Sequence, residues 1–286
     1  MTDTVYLNGD FIAKEFAKIS VLDRGFLFAD GVYEVIPVYR CIPFRAEQHL
    51  DRLFDSLTEI NLASPYNRQQ WLEIIQQVIQ ANLNTHGENQ SIYLQVTRGI
   101  DGERQHVVAT PLSATVLVMA SALPKSNATL TPVKATLMED IRWHHCHIKS
   151  IALLANTLMV NQAKANGFDE AILHRQQQLT EGASSNVFLV RQGKVYTPPK
   201  SQHILGGITR DLIIELCIEA GLEVFQQGIH IEQLPGADEI WICSSTREIS
   251  PIVAIDDKII GSGSIGPVTK RIAASLLAFK SQLLAD

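Results

Sequence analysis

The chain has 286 residues, of which 46% are hydrophobic and 19% are charged, and its formal net charge is −6. This composition is typical of a globular protein that buries a core, it excludes a disordered chain, and at this length we expect two domains. The negative charge provides no general attraction to nucleic acid or to an anionic membrane surface, so the expected partners are small molecules.

The start of the chain lacks the basic residues and the apolar run of a secretion signal, and no stretch of about 18 apolar residues occurs. The cysteines are Cys41, Cys146, Cys217 and Cys243, and none of them forms a C-x-x-C pair. Such spacing predicts neither a zinc knuckle nor a redox dithiol, and reduced thiols fit a cytoplasmic protein.

The first part of the chain predicts a small lobe of mixed α and β structure. Residues 5–44 favour short extended pieces between turn formers, including a strand over 33–39. Apolar residues at helical spacing then predict two amphipathic helices, within 50–60 and 71–79. Continuous apolar content predicts the buried strands that complete the lobe, over 92–96 and 114–122.

A polar segment with a proline, residues 123–127, predicts an exposed linker. We therefore expect an N-terminal lobe over 1–122 and a larger C-terminal lobe over 128–286. In the second lobe the predicted strands are 133–138, 170–173, 186–190, 239–243 and 252–255, and the predicted helices are 151–165, 209–220 and 268–284. The expected fold class is α+β.

Residues 139–150 form a dense run of titratable side chains between a predicted strand and a predicted helix. His144, His145, Cys146 and His147 are all possible metal ligands. Adjacent residues on an extended chain point to opposite faces, however, and zinc sites space their ligands more widely. We therefore expect no metal site, and a solvated loop is the plain alternative for the whole run.

Six blocks stand out along the chain: DRGFLFADGVYE from Asp23, QHLDRL from Gln48, EDIR from Glu139 leading to IKS at 148–150, TEGASSNVF from Thr180, GITR from Gly207 and SSTREI from Ser244. Any one block is weak evidence, whereas their order and spacing together are specific. In that order they resemble the fold-type IV pyridoxal-phosphate (PLP) aminotransferases, and the resemblance covers nearly the whole chain. The resemblance implies the family's two-domain architecture, with a small N-terminal α/β lobe and a larger C-terminal mixed lobe.

This resemblance implies that Lys149 attaches PLP as a Schiff base and later moves the substrate proton, for which a primary amine is required. It implies that Glu181 is the carboxylate beside the pyridine nitrogen, whose charge keeps the ring protonated and able to accept electrons. Taken alone, these residues would be interpreted as a solvated surface lysine and an acid in a turn.

A cup for the cofactor phosphate is also implied. Arg52 matches the family's charged phosphate ligand, and the backbone amides of Ile208 and Thr209 open a predicted helix, whose N-terminus favours an anion. The hydroxyls of Ser245 and Thr246 complete the cup. Without the resemblance, the same residues would be interpreted as a solvated helix arginine, an N-cap and a turn.

Three residues bear on the choice of substrate. Tyr33, in a strand without the glycine that branched-chain enzymes often have after the glutamate, resembles the D-amino acid group of the family. Arg104 and His106 resemble that group's arginine-x-histidine carboxylate trap, and residues two apart on an extended chain share a face. A guanidinium, an imidazole and a phenol can together satisfy a carboxylate. An exposed polar loop is the alternative.

The implied reaction is a ping-pong transfer of an amino group between a D-amino acid of the D-alanine type and a 2-oxo acid, in a homodimer. Three alternatives stay open: an aminodeoxychorismate lyase, a branched-chain L-amino acid aminotransferase, and a PLP-binding protein without catalytic activity. The sequence departs from the D-amino acid group at Ala183, Gly206 and Arg247. If Arg247 faces the substrate, its charge favours an acidic one.

Overall fold

The computed structural model describes residues 2–108, 111–123 and 130–283. Its mixture of separate helices and sheets confirms the predicted α+β class. The chain forms two compact units, Met1–Lys125 with Ile148–Ala152, and Ser126–His147 with Leu153–Asp286. The predicted linker over 123–127 lies outside the described residues except for Leu123. Across the described residues, no helix has both the length and the apolar content that crossing a membrane requires.

Within the described residues, the first unit is a six-stranded antiparallel sheet packed against helices. Its strands are β1 (Thr4–Leu7), β2 (Asp10–Ala13), β3 (Gly31–Tyr39), β4 (Ile42–Pro43), β5 (Gln90–Thr97) and β6 (Thr115–Ala122). Its helices are α1 (Arg24–Phe28), α2 (Ala46–Glu59), α3 (Arg68–Ala81) and α4 (Leu83–His86), and a 3-10 turn covers Lys14–Phe16. The strand order is β2-β1-β6-β5-β3-β4.

The apolar stripes of α2 and α3 form the core of this unit against the sheet. Leu50, Leu53 and Leu57 of α2, with Trp71 and Ile75 of α3, are at most 1% exposed. This burial follows the three-and-four spacing that predicted both helices. A capping box at the start of α3 satisfies two of its first backbone donors.

Helix α1 lies where the sequence predicted extended pieces. The Asp23 side chain accepts a hydrogen bond from Gly25 N at 2.8 Å, which caps the first turn. Ala29 adopts a left-handed conformation, with φ of 55°, and ends the helix. The predicted extended conformation was wrong for residues 24–28, because the Asp23 cap stabilises a helical turn more than the weak apolar pattern favours a strand.

Among the described residues, the second unit contains a nine-stranded mixed sheet. Its strands are β7 (Val133–Glu139), β8 (Glu170–Arg175), β9 (Gln178–Gly182), β10 (Asn186–Arg191), β11 (Lys194–Thr197), β12 (Val224–Gln226), β13 (Glu239–Ser244), β14 (Glu248–Ile255) and β15 (Lys258–Ile259). Its helices are α5 (Leu154–Ala165), α6 (Ile208–Glu219) and α7 (Pro267–Leu283), with a 3-10 segment at Ile231–Gly236. The order is β12-β11-β10-β13-β14-β7-β8-β9, with β15 on β14. Residue 284, the predicted end of the last helix, lies outside the described residues.

Segment Ile148–Ala152 belongs to the first unit, although the predicted boundaries assigned it to the second lobe. Its backbone pairs with the outer edge of β3. Tyr33 N donates to Lys149 O at 3.0 Å, and Ile151 N donates to Gly31 O at 3.1 Å. The edge of a strand carries donors and acceptors that need partners, and this segment supplies them.

The same pairing explains where α5 begins. Because Ile151 is used in the extended pairing, the helix predicted from residue 151 begins only at Leu154. Further along β3, the short strand β4 pairs only with Val38 and Tyr39. Pro37, which lacks a backbone donor, therefore lies on a strand edge, as its chemistry predicts.

We expect Gly31→Ala to lower the free energy of unfolding by about 1–3 kcal/mol, because the added methyl forces packed backbone apart. A Cβ at Gly31 would lie 2.6 Å from Val96 O and 3.1 Å from Ile151 Cδ1. Urea unfolding followed by circular dichroism measures the change. Gly102→Ala is the matched control, since nothing lies within 4 Å of its Cβ position. Equal effects in the two variants would contradict the packing requirement at Gly31.

Candidate active site

Lys149 is held against β3 by its backbone and by its side chain. Its carbonyl accepts from Tyr33 N at 3.0 Å, and its N–H donates to Ser56 Oγ at 3.2 Å. Its half-buried Nζ lies 4.1 Å from the centroid of the Tyr33 ring. Tyr33 in turn stacks on Tyr93, with ring centroids 5.7 Å apart. The amine therefore has a defined position on the face of an aromatic ring.

A buried carboxylate orients Arg52 on α2. Glu34 Oε1 accepts from Arg52 Nε at 2.7 Å, and Glu34 Oε2 accepts from Arg52 Nη2 at 2.8 Å. His49 Nδ1 lies 2.8 Å from the same Oε2. Burial alone would raise the pKa of Glu34, but Arg52 and His49 hold that pKa well below its ordinary value. The two-point pairing fixes the plane of the guanidinium.

The loop that follows β5 carries Arg104 and His106, and both side chains are exposed. They pack on the same ring, because Arg104 Cζ lies 5.1 Å and the His106 ring 5.3 Å from the centroid of Phe28. The spacing predicted that Arg104 and His106 share a face of the chain, and both side chains contact one ring. Tyr33, the third residue of the predicted trap, instead contacts Lys149 and Tyr93, as described above. Different contacts therefore hold Tyr33 and the two loop residues.

In the second unit, Glu181 is a buried carboxylate with several donors. Arg142 Nη1 donates to its Oε1 at 2.6 Å, and Asn186 Nδ2 donates to its Oε2 at 2.9 Å. Leu205 N lies 3.2 Å and 3.1 Å from the two oxygens. Arg142 also donates from Nε and Nη2 to Asp140, at 2.9 Å and 2.8 Å. One guanidinium therefore serves two carboxylates.

The sharing of Arg142 makes the two carboxylates different. Burial would raise the pKa of Asp140, but hydrogen bonds from Arg142 outweigh burial and lower the pKa to about 2. At Glu181 burial prevails and raises the pKa to about 7, with Arg142 opposing it only in part. Glu181 is thus the less satisfied of the two acids, and a cationic N–H partner would stabilise its charged form.

Asn186 connects Glu181 to the start of α6. Its amide nitrogen donates to the Glu181 carboxylate and to a backbone carbonyl, both at 2.9 Å. Its Oδ1 would lie 2.0 Å from a Cβ on Gly207, the residue that precedes the helix. Ile208 and Thr209 begin α6, where the first backbone N–H groups have no acceptor within the helix. Such a terminus favours an anion.

Ser245 and Thr246 lie with Arg247 in the turn between β13 and β14. Arg247 Nη1 donates to Glu170 Oε2 at 2.8 Å, and Glu170 is buried. The charge of Arg247 is therefore already paired, which weakens the hypothesis that it selects an acidic substrate. Gly206, the other departure near the phosphate turn, has the Lys200 side chain beside it, 3.5 Å from the Cβ position.

The histidine-rich run folds as packed rings. His144 contacts His203 with centroids 5.2 Å apart, and His145 contacts His147 at 5.7 Å. Within residues 2–108, 111–123 and 130–283, no three potential ligands converge as a metal ion would require.

Sequence reasoning missed four residues that support the predicted ones: Arg142, Asn186, Glu34 and His49. All four lie inside or beside the blocks that carry the family resemblance. His49 and Arg52 are three residues apart, so helical spacing indicated that they share a face. Nothing in the spacing indicated that Arg142 reaches a glutamate 39 residues away.

Comparisons with known proteins identify the family of this chain. The family model described as Amino-transferase class IV matches residues 31–255. A D-alanine aminotransferase of Staphylococcus haemolyticus is 36% identical over 270 residues, which are 94% of this chain and 94% of that protein.

Solved structures share the fold. The branched-chain aminotransferase of Thermoproteus uzoniensis with norvaline has a TM-score of 0.88 and 28% identity, covering 96% of this chain and 93% of that chain. The branched-chain amino acid aminotransferase of Escherichia coli has a TM-score of 0.85 and 26% identity, covering 97% of this chain and 94% of that chain.

The raised pKa of Glu181 predicts how the stability of the cofactor-free protein depends on pH. The pKa is about 7 in the folded state against an ordinary value of 4.5. Between these values the folded protein holds a proton that the unfolded chain has lost, so the free energy of unfolding falls as pH rises. We expect Glu181→Gln to remove that fall, which amounts to at most about 3 kcal/mol.

Urea unfolding of the cofactor-free protein between about pH 5 and about pH 8 measures this difference. Glu232→Gln is the matched control, because the side chain of Glu232 is 84% exposed. Parallel pH profiles for the wild type and Glu181→Gln would show that burial does not raise this pKa.

Proposed function

This chain belongs to the class IV aminotransferases, and we propose that it uses PLP to transfer an amino group between a D-amino acid, such as D-alanine, and a 2-oxo acid. The single observation that supports the chemistry best is the buried Glu181 carboxylate, which Arg142 and Asn186 hold in place. The similarity to D-alanine aminotransferase supports the choice of substrate. We further propose that the protein is a cytoplasmic homodimer.

The residues present fit the cofactor. A buried carboxylate with a raised pKa suits a protonated ring nitrogen, the start of α6 suits a phosphate, and the amine of Lys149 suits an aldehyde. When bound, PLP supplies an electron-accepting ring that stabilises negative charge at the substrate Cα.

Each residue then has a role. Lys149 would hold the cofactor covalently and move a proton at the substrate Cα, since its backbone is fixed by Tyr33 and Ser56. Glu181 would hold a proton at the ring nitrogen. The phosphate would be bound by Arg52, by the amides of Ile208 and Thr209, and by the hydroxyls of Ser245 and Thr246.

The substrate carboxylate would be bound by Tyr33, Arg104 and His106. If the carboxylate is fixed on one side and the amine of Lys149 lies on one face of the ring, only one enantiomer directs its α-hydrogen at that amine. The similarity in sequence to D-alanine aminotransferase favours the D-enantiomer. The fold alone makes no such choice, because branched-chain enzymes share it.

We expect the purified PLP-loaded protein to form pyruvate and glutamate from D-alanine and 2-oxoglutarate. Lys149→Ala should lower the rate by at least about a thousandfold, because proton transfer loses its base. Lys194→Ala is the control, since Lys194 pairs with Glu223 at the surface and its side chain is 41% exposed.

Three outcomes would contradict this proposal, and each identifies an alternative. Preference for L-leucine would indicate a branched-chain aminotransferase. Release of pyruvate from aminodeoxychorismate without an amino acceptor would indicate a lyase. A PLP-coloured protein without turnover of any of these compounds would indicate a non-catalytic binding protein.

A second experiment tests the phosphate turn. We expect Gly207→Ala to raise the dissociation constant of PLP at least about tenfold, because the new methyl would displace Asn186 and the start of α6. Gly206→Ala is the matched control, because its nearest neighbour is the flexible Lys200 side chain at 3.5 Å. Absorbance titration of the cofactor-free variants with PLP measures both constants. Equal constants for the two variants would argue against a phosphate role for this turn.

A further inference from the structure

Arg24 is a buried cation that the chemistry above does not use. Its side chain, on the short helix α1, is 6% exposed. Its Nε donates to Asp30 Oδ2 at 2.9 Å. Asp30 also accepts from Arg98 Nε at 2.8 Å and from Arg98 Nη2 at 3.0 Å. Burying a charge costs desolvation free energy even when the charge is paired, which indicates a role for Arg24 beyond packing.

The other two nitrogens of Arg24 donate to the backbone of the loop that carries Arg104 and His106. Nη1 donates to Gln105 O at 2.7 Å, and Nη2 donates to His106 O at 3.0 Å. Gln105 lies between Arg104 and His106, the two residues of the predicted carboxylate trap that this loop carries. Nη1 also lies 3.6 Å from Asp101 Oδ2, at the start of the same loop.

Phe28, four residues after Arg24, completes the arrangement. Arg24 Cζ lies 4.9 Å from the centroid of its ring, and Arg104 Cζ lies 5.1 Å from the same centroid. The His106 ring lies 5.3 Å away. The Phe28 ring thus contacts Arg24 and both trap residues of the loop, Arg104 and His106.

We propose that Arg24 is a positioning residue for the substrate carboxylate trap, holding the backbone of residues 104–106 so that Arg104 and His106 act together. The inference rests on the proposed function. An exposed loop must lose conformational freedom when it closes on a substrate, and that loss weakens binding. Two charge-assisted hydrogen bonds from a buried guanidinium remove this freedom before the substrate arrives.

Only an arginine can make all these contacts at once. The planar guanidinium presents donors in a fixed fork, which reaches the Asp30 carboxylate and two carbonyls together. A lysine at position 24 would keep the charge beside Asp30 but would offer a single donor atom. Arg24→Lys therefore separates the charge from the positioning.

We expect Arg24→Met and Arg24→Lys to raise the KM for D-alanine about tenfold and to change kcat less than about threefold. Arg68→Met is the matched control. Arg68 lies in the same unit, over the ring of Phe54 at 5.3 Å, and pairs with Glu47 and Asp51 at the surface. Arg68→Met should leave both KM and kcat unchanged.

Two further measurements separate positioning from a general loss of structure. D-alaninol carries the amine but no carboxylate, so its binding to the PLP-loaded enzyme, followed by cofactor absorbance, should be the same in Arg24→Met and wild type. The increases in KM caused by Arg24→Met and Arg104→Met should be less than additive in the double variant, because Arg24 acts through Arg104 as well as through His106.

If Arg24→Met does not fold, Arg24→Lys decides the question. An unchanged KM in the folded variants, an equal loss of affinity for D-alaninol, or additive losses in the double variant would each overturn the inference. A wild type that does not turn over D-alanine contradicts the proposed function instead, whereas an active wild type with unaffected Arg24 variants contradicts only the role of Arg24.

Discussion

The backbone hydrogen bonds between β3 and residues 149–151 determine where the candidate nucleophile lies. A strand edge requires partners, and the segment that contains Lys149 provides them. Gly31 leaves room for the Val96 carbonyl of β5 and for the Ile151 side chain, and its own carbonyl accepts from Ile151 N. The amine of Lys149 then lies on the ring of Tyr33, whose own N–H is part of the same pairing. The position of the amine is therefore a consequence of sheet formation, and a rigid element holds a group better than a free loop does.

Each unit contains a buried arginine–carboxylate system, and the two systems differ in the pKa of the acid. Glu34 accepts two hydrogen bonds from Arg52 and pairs with His49, so it stays ionised and fixes the guanidinium. Glu181 shares Arg142 with Asp140, and its pKa is raised to about 7. The difference comes from the number of cations for each acid rather than from burial, which both acids have. The first arrangement orients the Arg52 guanidinium, and the second leaves an acid that a cationic partner would stabilise in its charged form.

The sequence predicted the helices and strands well where one face of the element is buried. It predicted them poorly where contacts between distant residues determine where an element begins. Helices α2 and α3 follow from periodicity, because a helix that packs on a sheet must present an apolar stripe. The start of α5 was predicted three residues early because the pairing of Ile151 with Gly31 joins residues 120 positions apart. Lys149 and Glu181 were predicted as site residues from the family blocks, whereas their contacts with Ser56 and Arg142 were not predicted, since no local pattern encodes a contact over such separations.

In the proposed function, substrate choice depends on a different part of the molecule from the cofactor chemistry. Two solved branched-chain enzymes share this fold at TM-scores of 0.88 and 0.85, while a relative with 36% identity is a D-alanine aminotransferase, so architecture and substrate vary separately among these proteins. If the amine is fixed on β3, the hand of the substrate depends on where its carboxylate is anchored. Two of the three proposed anchor residues, Arg104 and His106, lie in a loop, and loops change more easily than sheets. On this proposal the loop with Arg104 and His106 needs its own rigid support, and the buried Arg24 supplies it through hydrogen bonds to the loop backbone, without using the side chains of Arg104 and His106.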